Sequence, residues 1–405
     1  MVRVPVSSRH LRDASARLVL DHLWDVDEVT GSALIEATGL SRATVHDVCD
    51  ELIERGWVTE LESLRGGDDH RKGRPARRYA FDARAGVVVG VDAGQHRISA
   101  SVTDLRGADL ARTVLTVTPQ DETVARRLSQ IEEGVRAALA QAGVPLHRVL
   151  AVAVGVPAPV GRDGRTSFRD NPFWEVMNPD IVTRLHDRLG CTTLTDNDAN
   201  LAAMAEHWRG HGRGTRSHVT LLAGERFGAG VIDDGRLLRG AHGGVGEMRY
   251  LDLIEGVGSA DGIAALVRDD ARAQLRRLDG RAGSTLQELD PATLDAASVF
   301  AAAVDEDPLA VSVIEHVAGR VARIVASFAS IYDPERVILA GAVAASCGPL
   351  LELVRGELDR YVDPPGVEVL ASELGRDVVT IGAVKKALDH VRANALTIAP
   401  AALTP

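Results

Sequence analysis

Residues 30–56 read TGSALIEATGLSRATVHDVCDELIERG, and this stretch decides the fold of the N-terminal part of the chain. Thr30 is placed to cap one helix, and Gly39 supplies the left-handed conformation that ends it. Ser41 can then cap a second helix that runs to Arg55. The buried face of that helix would carry Val45, Val48 and Leu52. Two short helices joined by a glycine turn form a helix-turn-helix pattern.

The exposed start of the second helix supplies the first candidate contacts with DNA. These are Ser41, Arg42, Thr44 and His46. Arginine can bind a guanine edge with two hydrogen bonds, and serine or threonine can contact phosphate or a base. Apolar spacing predicts a further helix upstream at about 9–24, and two short strands are predicted downstream at 57–60 and 76–82.

The loop between those strands is strongly basic. Residues 65–78 hold six basic and two acidic residues, whereas the whole chain has a net charge of −11. The sequence GRPARR at 73–78 suits a minor groove, because glycine and proline keep the backbone slim while arginine supplies charge. The candidate contacts in this loop are Arg71, Lys72, Arg74 and Arg77. We interpret residues 1–84 as a winged helix-turn-helix that binds DNA; a helical dimerisation module with a solvated linker is the alternative.

Length and composition limit the possible fold class and location of the whole chain. A chain of 405 residues is too long to fold around one ordinary hydrophobic core, so more than one domain is expected. Its 45% hydrophobic and 25% charged residues are typical of a globular protein. No apolar run is long enough to span a membrane, and residues 1–12 lack the apolar core of a secretory signal. Cys49, Cys191 and Cys347 lie far apart without a CxxC pair. We therefore expect a cytoplasmic location and no disulfide framework.

From residue 87 onward, strands alternate with helices. Three successive strands are predicted at 87–94, 97–105 and 111–117, and a second set of three begins at 218. Repetition of the same set indicates a duplicated α/β fold with a cleft between two lobes. The predicted parts are a domain at 86–395, lobes at about 86–200 and 200–380, a C-terminal helix at 381–394 and a flexible tail at 396–405.

Several motifs of this chain match those of one known family. They are LSRATVHDVCDELIERGWV at 40–58, Asp92-Ala93-Gly94-Gln95-His96, TDNDAN at 195–200, ERFGAG at 225–230 and GEMRY at 246–250. The chain resembles the ROK family (repressors, open reading frames and kinases) over essentially all of the second domain and in its N-terminal module. The resemblance implies a two-lobed, actin-like (sugar kinase/ribonuclease H-like) ATPase fold that follows a winged helix-turn-helix.

The resemblance also implies a set of sugar-contacting residues. They are Asn171, Asn197, Asp198, Glu247, Tyr250 and Asp261. In kinases of the family the residue at the Asp198 position is the general base, and a carboxylate can hold a sugar hydroxyl whether or not phosphate is transferred. Tyr250 stands where the family has a histidine, and Asp261 comes from the less well matched segment GSAD at 258–261.

The phosphate-binding motifs of the family are degraded in this chain. The family pattern D-x-G-G-T reads Asp92-Ala93-Gly94-Gln95-His96, so bulky side chains stand where a phosphate loop needs a slim backbone. In place of T-G-I-G-A-G the chain has Glu225 and Arg226, which bring negative charge and bulk. The late glycine-rich motif reads LAGA at 339–342. We therefore expect no productive ATP binding and no catalytic residue; Asp198 would be the base if the kinase reaction survives.

Most members of the family bind a structural zinc ion with one histidine and a C-x-C-G-x-x-G-C cluster. Residues 250–262 here read YLDLIEGVGSADG, which contains neither Cys nor His. A tetrahedral zinc site cannot be built from these residues. The resemblance is therefore to a zinc-less variant, and we expect no metal and no other cofactor.

Three functions are compatible with these observations. The first is a transcriptional regulator, a repressor, that binds operator DNA and senses a carbohydrate without phosphorylating it. The second is an active ATP-dependent sugar kinase with an appended DNA-binding domain, and the third is a regulator that has lost its ligand and responds to a protein partner. We favour the first and expect a homo-oligomer, a dimer or tetramer, because such regulators read two half-sites symmetrically. No membrane partner is expected.

Overall fold

The N-terminal module consists of three helices and a small sheet. The computed structural model describes residues 8–400 apart from 63–76, 119–122, 168–170, 279–282, 362 and 364–365. The elements of the module are α1 (Ser8–Asp25), β1 (Val29–Thr30), α2 (Gly31–Thr38), α3 (Arg42–Glu54), β2 (Val58–Leu61) and β3 (Arg78–Phe81). The strands pair antiparallel in the order β1-β3-β2.

The helix ends of this module follow the chemistry of single residues. Thr30 Oγ1 accepts a hydrogen bond from the backbone N–H of Ala33 at 3.2 Å, and Ser41 Oγ accepts one from Thr44 at 3.2 Å. Gly39 ends α2 in the left-handed region with φ 68°. These caps confirm the predicted helices. The two-residue β1 was not predicted, because a strand of that length has no alternation to detect.

The first lobe contains a five-stranded sheet. Its elements are β4 (Val87–Ala93), β5 (Arg97–Thr103), β6 (Asp109–Thr116), α4 (Val124–Ala142), β7 (Val149–Val156), α5 (Pro172–Met177), α6 (Ile181–Leu189), β8 (Thr192–Asn197) and α7 (Asp198–Arg209). The strand order is β6-β5-β4-β7-β8. The first three strands pair antiparallel, while β7 and β8 add parallel to β4.

The second lobe repeats this plan. Its elements are β9 (His218–Ala223), β10 (Phe227–Asp233), β11 (Arg236–Leu237), α8 (Ile263–Leu278), α9 (Ala296–Val304), α10 (Pro308–Tyr332), β12 (Arg336–Ala340), α11 (Gly348–Leu358), β13 (Glu368–Ala371) and α12 (Val378–Asn394). The order β11-β10-β9-β12-β13 has the same pattern of antiparallel and parallel pairs as the first sheet. The predicted duplication is therefore confirmed. Within the described ranges, no helix combines the length and apolar character needed to cross a membrane.

Helix α12 belongs to the second half of the chain but packs on the first lobe. A β-carbon on Gly382 would lie 1.8 Å from the carbonyl oxygen of Leu201 in α7, and one on Gly90 in β4 would lie 2.5 Å from the backbone nitrogen of Val384. Glycine at these positions lets the backbones approach closely. The buried hydroxyls of Ser99 and Thr380 add a hydrogen bond of 2.8 Å between β5 and α12.

The far end of α12 contacts the N-terminal module. Arg392 forms ion pairs with Asp21 at 3.1 Å and Asp25 at 2.8 Å, both on α1. A single apolar cluster runs from the N-terminal module through α12 to α7 and includes Leu20, Leu23, Trp57, Leu201, Leu388 and Val391. The division at residues 84–86 therefore does not separate two independent cores.

The predicted flexible tail at 396–405 differs from the structure in its first part. Leu396 and Ile398 pack against the same apolar cluster, and Arg55 donates a hydrogen bond to the carbonyl oxygen of Leu396 at 2.7 Å. Apolar side chains in a segment that follows a packed helix can continue its contacts, which composition alone did not indicate. Residues 401–405 lie outside the described residues.

The crossing of α12 over α7 predicts a large effect of one methyl group. Gly382→Ala is expected to destabilise the protein by more than about 2 kcal/mol, because the new β-carbon would overlap backbone atoms that cannot move independently. Gly356→Ala in α11 is the matched control, since no atom lies within 4 Å of its added β-carbon. At position 356 alanine should raise the free energy of unfolding by up to about 1 kcal/mol. Urea unfolding measures both, and equal stability of the two variants would contradict the close crossing.

Candidate functional site

A buried ion cluster lies at the end of β8. Asp196 is fully buried, and its carboxylate pairs with Arg239 at 2.6 Å and with Lys386 of α12 at 2.8 Å. Burial alone would raise the pKa of Asp196, but the charges and hydrogen bonds of Lys386 and Arg239 outweigh it and lower the pKa. Asp196 is not among the site residues predicted from the sequence. Its partner Lys386 is one of only three lysines in the sequence. This rarity of lysine is the one sequence signal that could have pointed to the ion pair.

Asn197 links that cluster to the start of α7. Its side-chain oxygen accepts a hydrogen bond from the backbone N–H of Asn200 at 3.1 Å and so caps the helix. Its side-chain nitrogen donates to the carbonyl oxygen of Ala158 at 3.2 Å. Asn197 therefore fixes the strand-to-helix turn, in addition to the sugar contact predicted for it.

Asp198 is the first residue of α7 and faces other carboxylates. Burial, with the charges of Asp92 and Glu247, raises the pKa of Asp198 to about 8. Burial also raises the pKa of Asp92 to about 6. Asp198 therefore keeps its proton at neutral pH, and a protonated carboxyl can both donate and accept a hydrogen bond. The sequence places Asp92 in a phosphate motif and gives no local sign that it shares a cluster with Asp198.

Glu247 and Asp261 are held against β10 by backbone bridges. Glu247 bridges to Gly228, and Asp261 bridges to Arg226. Burial raises the pKa of Glu247, although the charge of Arg226 opposes the shift. Arg226 Nη1 also lies 3.9 Å from the Asp261 carboxylate. Two predicted sugar-contacting acids thus share one neighbouring cation.

The glycines of β10 bring these acids near Asp198. A β-carbon on Gly230 would lie 2.3 Å from the carbonyl oxygen of Ala199, and one on Gly228 would lie 3.2 Å from the β-carbon of Ala199. The start of α7 therefore packs directly on β10. These glycines have a packing role of their own, so their presence in the motif ERFGAG does not by itself indicate a phosphate site.

Asn171 and Tyr250 are placed differently from the other predicted sugar contacts. The side-chain oxygen of Asn171 accepts hydrogen bonds from the backbone N–H groups of Phe173 at 3.1 Å and Trp174 at 3.3 Å, and so caps α5. Tyr250 is 64% exposed, with the guanidinium of Arg249 5.3 Å from its ring centre. Neither contact joins them to the Asp198 cluster, and their sugar-binding roles stay predictions.

The start of α3 presents the predicted DNA contacts. Arg42 is exposed there, while the hydroxyls of Ser41 and Thr44 lie 2.9 Å apart within the helix cap. His46 is half-buried, and its Nδ1 lies 3.0 Å from the Tyr79 hydroxyl. Among these four, Arg42 is therefore the most accessible cation for a base or phosphate.

The basic loop is only partly described. Arg71, Lys72 and Arg74 lie outside the described residues. Arg77 forms ion pairs of 2.6 Å with Asp50 and with Glu60 and stands 5.3 Å from the Tyr79 ring centre. A guanidinium held by two carboxylates has less charge to offer a phosphate, so the structure weakens the case for Arg77 as a DNA contact.

A family model now places the chain among known proteins. The model of the ROK family matches residues 88–389. The chain belongs to the ROK family. It is 28% identical over 224 residues to a glucokinase of Halalkalibacterium halodurans, a match that covers 50% of this chain and 65% of that enzyme.

Two regulators of the ROK family match more of the chain. The DNA-binding transcriptional dual regulator NagC of Escherichia coli K12 is 24% identical over 358 residues, which covers 85% of this chain and 84% of NagC. The crystal structure of a ROK family transcriptional regulator, a homologue of the E. coli MLC protein, has a TM-score of 0.73 at 22% identity and covers 94% of this chain and 97% of its own. Residues 86–405 alone could not give that coverage, so the likeness of fold extends into the N-terminal module.

The segments at 92–96 and 225–230, which match the family's phosphate motifs, differ in how well their side chains would tolerate a phosphate. Glu225 pairs with Arg268 at 2.7 Å, so its charge is largely compensated and opposes a polyphosphate less than the sequence indicated. Gln95 and His96 are exposed at the β4–β5 turn, and the Arg226 side chain is 63% exposed. These side chains do not fit a loop whose backbone closely approaches a phosphate.

The segment that carries zinc ligands in other ROK proteins is built from apolar residues here. Met248, Leu251, Val257 and Ala260 are buried in the core of the second lobe. Over the described ranges, no group of three or more His, Cys, Asp and Glu side chains is suited to hold a metal ion. The donor atoms in residues 250–262 do not fit a tetrahedral zinc site.

The raised pKa of Asp198 predicts a pH-dependent cost to stability. Between the usual aspartate pKa and about 8, the unfolded chain has lost this proton while the folded chain keeps it, so the free energy of unfolding falls as pH rises across that window. Asparagine cannot ionise. Asp198→Asn should therefore be more stable than the parent at pH 8 by at least about 1 kcal/mol, with a smaller gain at pH 5.

Urea unfolding at the two pH values measures this difference. The matched control is Asp187→Asn on α6, where the side chain is exposed. A gain in Asp198→Asn that does not grow with pH, or that equals the gain of the control, would show that Asp198 is not held protonated.

Proposed function

We propose that this chain is a DNA-binding transcriptional regulator, a repressor, whose ROK domain binds a sugar without phosphorylating it. The observation that carries the proposal concerns α12, which contacts both the buried ion cluster around Asp196 and the N-terminal module. Lys386 of this helix pairs with Asp196, next to Asn197 and Asp198. Arg392, less than two turns further on, pairs with α1.

The acid cluster, which consists of Asp92, Asp198 and Glu247, has the hydrogen-bonding groups that sugar recognition requires. Sugar hydroxyls both donate and accept hydrogen bonds, so a site for them needs groups that can do both. The protonated Asp198 can donate to a hydroxyl oxygen, while Glu247 can accept from a neighbouring hydroxyl. A glucokinase and an N-acetylglucosamine repressor of Escherichia coli, the latter 24% identical over 358 residues, support a hexose or hexosamine as the ligand class.

The DNA contact is proposed at the start of α3. Its first turn carries the exposed Arg42, whereas its second half carries Asp47, Asp50 and Glu54, which are also exposed. Phosphate would be repelled by that acidic half. We therefore propose that only the N-terminal turn of α3 enters a major groove, and that the basic residues at 65–78 supply further phosphate contacts.

Regulation would work through differential affinity. A sugar that bridges Asp198 and Glu247 would draw α7 and β10 together and close the cleft. Because α12 packs on α7 and on α1, closure would change how two copies of the chain present their α3 helices to two half-sites. Operator affinity would then differ between the open and closed states.

A sugar kinase is the second candidate, and the same carboxyl favours it. A pKa of about 8 makes Asp198 a suitable general base for a sugar hydroxyl. The exposed Gln95, His96 and Arg226 count against it, because transfer also requires a bound polyphosphate. ATP turnover separates the two functions.

Sugar binding is tested by thermal shift with a panel of monosaccharides and sugar phosphates that includes glucose and N-acetylglucosamine. A ligand at about a hundredfold excess over its Kd stabilises the folded state by about 2.7 kcal/mol, which raises Tm by several degrees. The active sugar should also change operator affinity. Glu247→Gln should lose the shift, whereas Glu288→Gln, which changes an exposed glutamate between α8 and α9, should keep it. ATP consumption with a panel sugar that disappears in Asp198→Asn would overturn the proposal in favour of the kinase.

DNA binding is tested with an operator selected in vitro from random duplexes. Arg42→Ala should weaken operator affinity by at least about tenfold in a gel shift, the effect of losing one bidentate base contact. Arg184→Ala, on the exposed face of α6, is the control with the same change of charge. Unchanged affinity in Arg42→Ala would remove this residue from the contact surface.

A further inference from the structure

The segment from Glu247 to Asp261 carries two of the proposed sugar-binding acids and lies between β10 and α10. Its end is tied to β10, because the backbone N–H of Phe227 donates to the carbonyl oxygen of Ala260 at 2.9 Å. Two residues further along, the N–H of Gly262 donates to the carbonyl oxygen of Glu225 at 2.9 Å and continues this pairing. Apolar burial holds the middle of the segment through Met248, Leu251 and Val257.

A polar relay ties the same segment to α10. Arg320 Nη2 donates to the hydroxyl oxygen of Ser259 at 3.0 Å, and that hydroxyl donates to Asp261 Oδ2 at 2.8 Å. Burial lowers the pKa of Arg320, which shows that its guanidinium is partly removed from water. Hydrogen bonds from a partly desolvated cation are stronger than those between neutral groups. Arg320 therefore acts on Asp261 through one serine.

The backbone of the segment is shaped to lie on α10. Gly256 and Gly258 both have φ in the left-handed region, at 77° and 84°. A β-carbon on Gly256 would lie 2.8 Å from Arg323 Nε, and one on Gly258 would lie 3.5 Å from Arg320 Nη2. The two arginines stand three residues apart on one face of the helix, so the loop rests on a pair of guanidinium groups.

We propose that Arg320, acting through Ser259, positions the segment that carries Glu247 and Asp261 and so takes the place of a metal ion in this chain. A structural zinc ion fixes a loop by joining several of its side chains to one centre. Residues 250–262 have no donors for such an ion, whereas the relay joins α10, Ser259 and Asp261 through one cation. Arg320 is a positioning residue. The sugar-binding consequence rests on the proposed function, but the holding of the segment does not.

Hydrogen exchange of the full chain without sugar tests the relay directly. Arg320→Ala and Ser259→Ala should each speed amide exchange in residues 247–262 by about tenfold, as expected for loss of one charge-assisted hydrogen bond. The double variant should exchange no faster than the faster single variant, because both changes break the same relay. Arg320→Lys should recover part of the protection. Ser327→Ala removes a hydroxyl that bonds only within α10, to the carbonyl oxygen of Arg323, and should leave the segment unchanged.

A metal-chelating agent supplies the opposing test. Addition of EDTA to the parent should leave exchange in residues 247–262 and Tm unchanged. Faster exchange with EDTA, or unchanged exchange in both Ser259→Ala and Arg320→Ala, would overturn the proposal. Should Arg320→Ala fail to fold, Ser259→Ala decides the result, since it removes a single hydroxyl.

Sugar affinity then separates positioning from general stability. With glucose or N-acetylglucosamine as the probe, Ser259→Ala should weaken binding by about tenfold while operator affinity in the absence of sugar stays as in the parent. Equal loss of sugar and operator affinity would show a general structural role and overturn the assignment. If neither sugar binds the parent, the proposed sugar sensing fails for them, while the exchange measurements still decide the relay.

Discussion

The backbone contact between α12 and α7 is the constraint on which the rest of the structure depends. At Gly382 the two helices approach so closely that a methyl group has no room, and the same crossing places Lys386 beside Asp196. Asp196 is a fully buried carboxylate, and a buried charge is tolerated only when its partners are in place. Removal of one partner from such a group costs about 3–5 kcal/mol. The crossing therefore holds the turn that carries Asn197 and Asp198.

The same helix, α12, also fixes the position of the N-terminal module. Arg392 pairs with two aspartates of α1, and the apolar cluster continues without a break from α1 through α12 into α7. A module joined only through the short connection at residues 82–86 would have no defined orientation. Because α12 is one continuous helix of 17 residues that is packed at both ends, a shift of α7 would be carried to α1 as a movement of one rigid element. Coupling between two distant sites requires such an element.

Much of the fold could be predicted because its signals are local. Capping residues such as Thr30 and Ser41, and the continuous apolar runs of β4 and β7, act within a few residues of the elements that they define. The ion pairs could not be predicted in this way, since Asp196 lies 43 residues from Arg239 and 190 from Lys386. For the same reason the sequence overstates the repulsion between Glu225 and a polyphosphate, because the compensating Arg268 lies 43 residues further along the chain. The sharing of one cluster by Asp92 and Asp198 likewise arises from sheet order and not from a motif.

The acid cluster by itself does not distinguish a sensor from a kinase, since a carboxyl with a raised pKa can donate a hydrogen bond to a sugar or, once deprotonated, accept its proton. The distinction lies in the segments that match the family's phosphate motifs, because phosphate transfer needs a slim backbone and an accessible positive field. Here Gln95 and His96 occupy the first turn, and Arg226 stands next to Asp261 and Glu247. A cation placed there moderates the repulsion among the acids of the sugar side. Under the proposed function, the altered segment would support hydroxyl recognition in place of phosphate transfer.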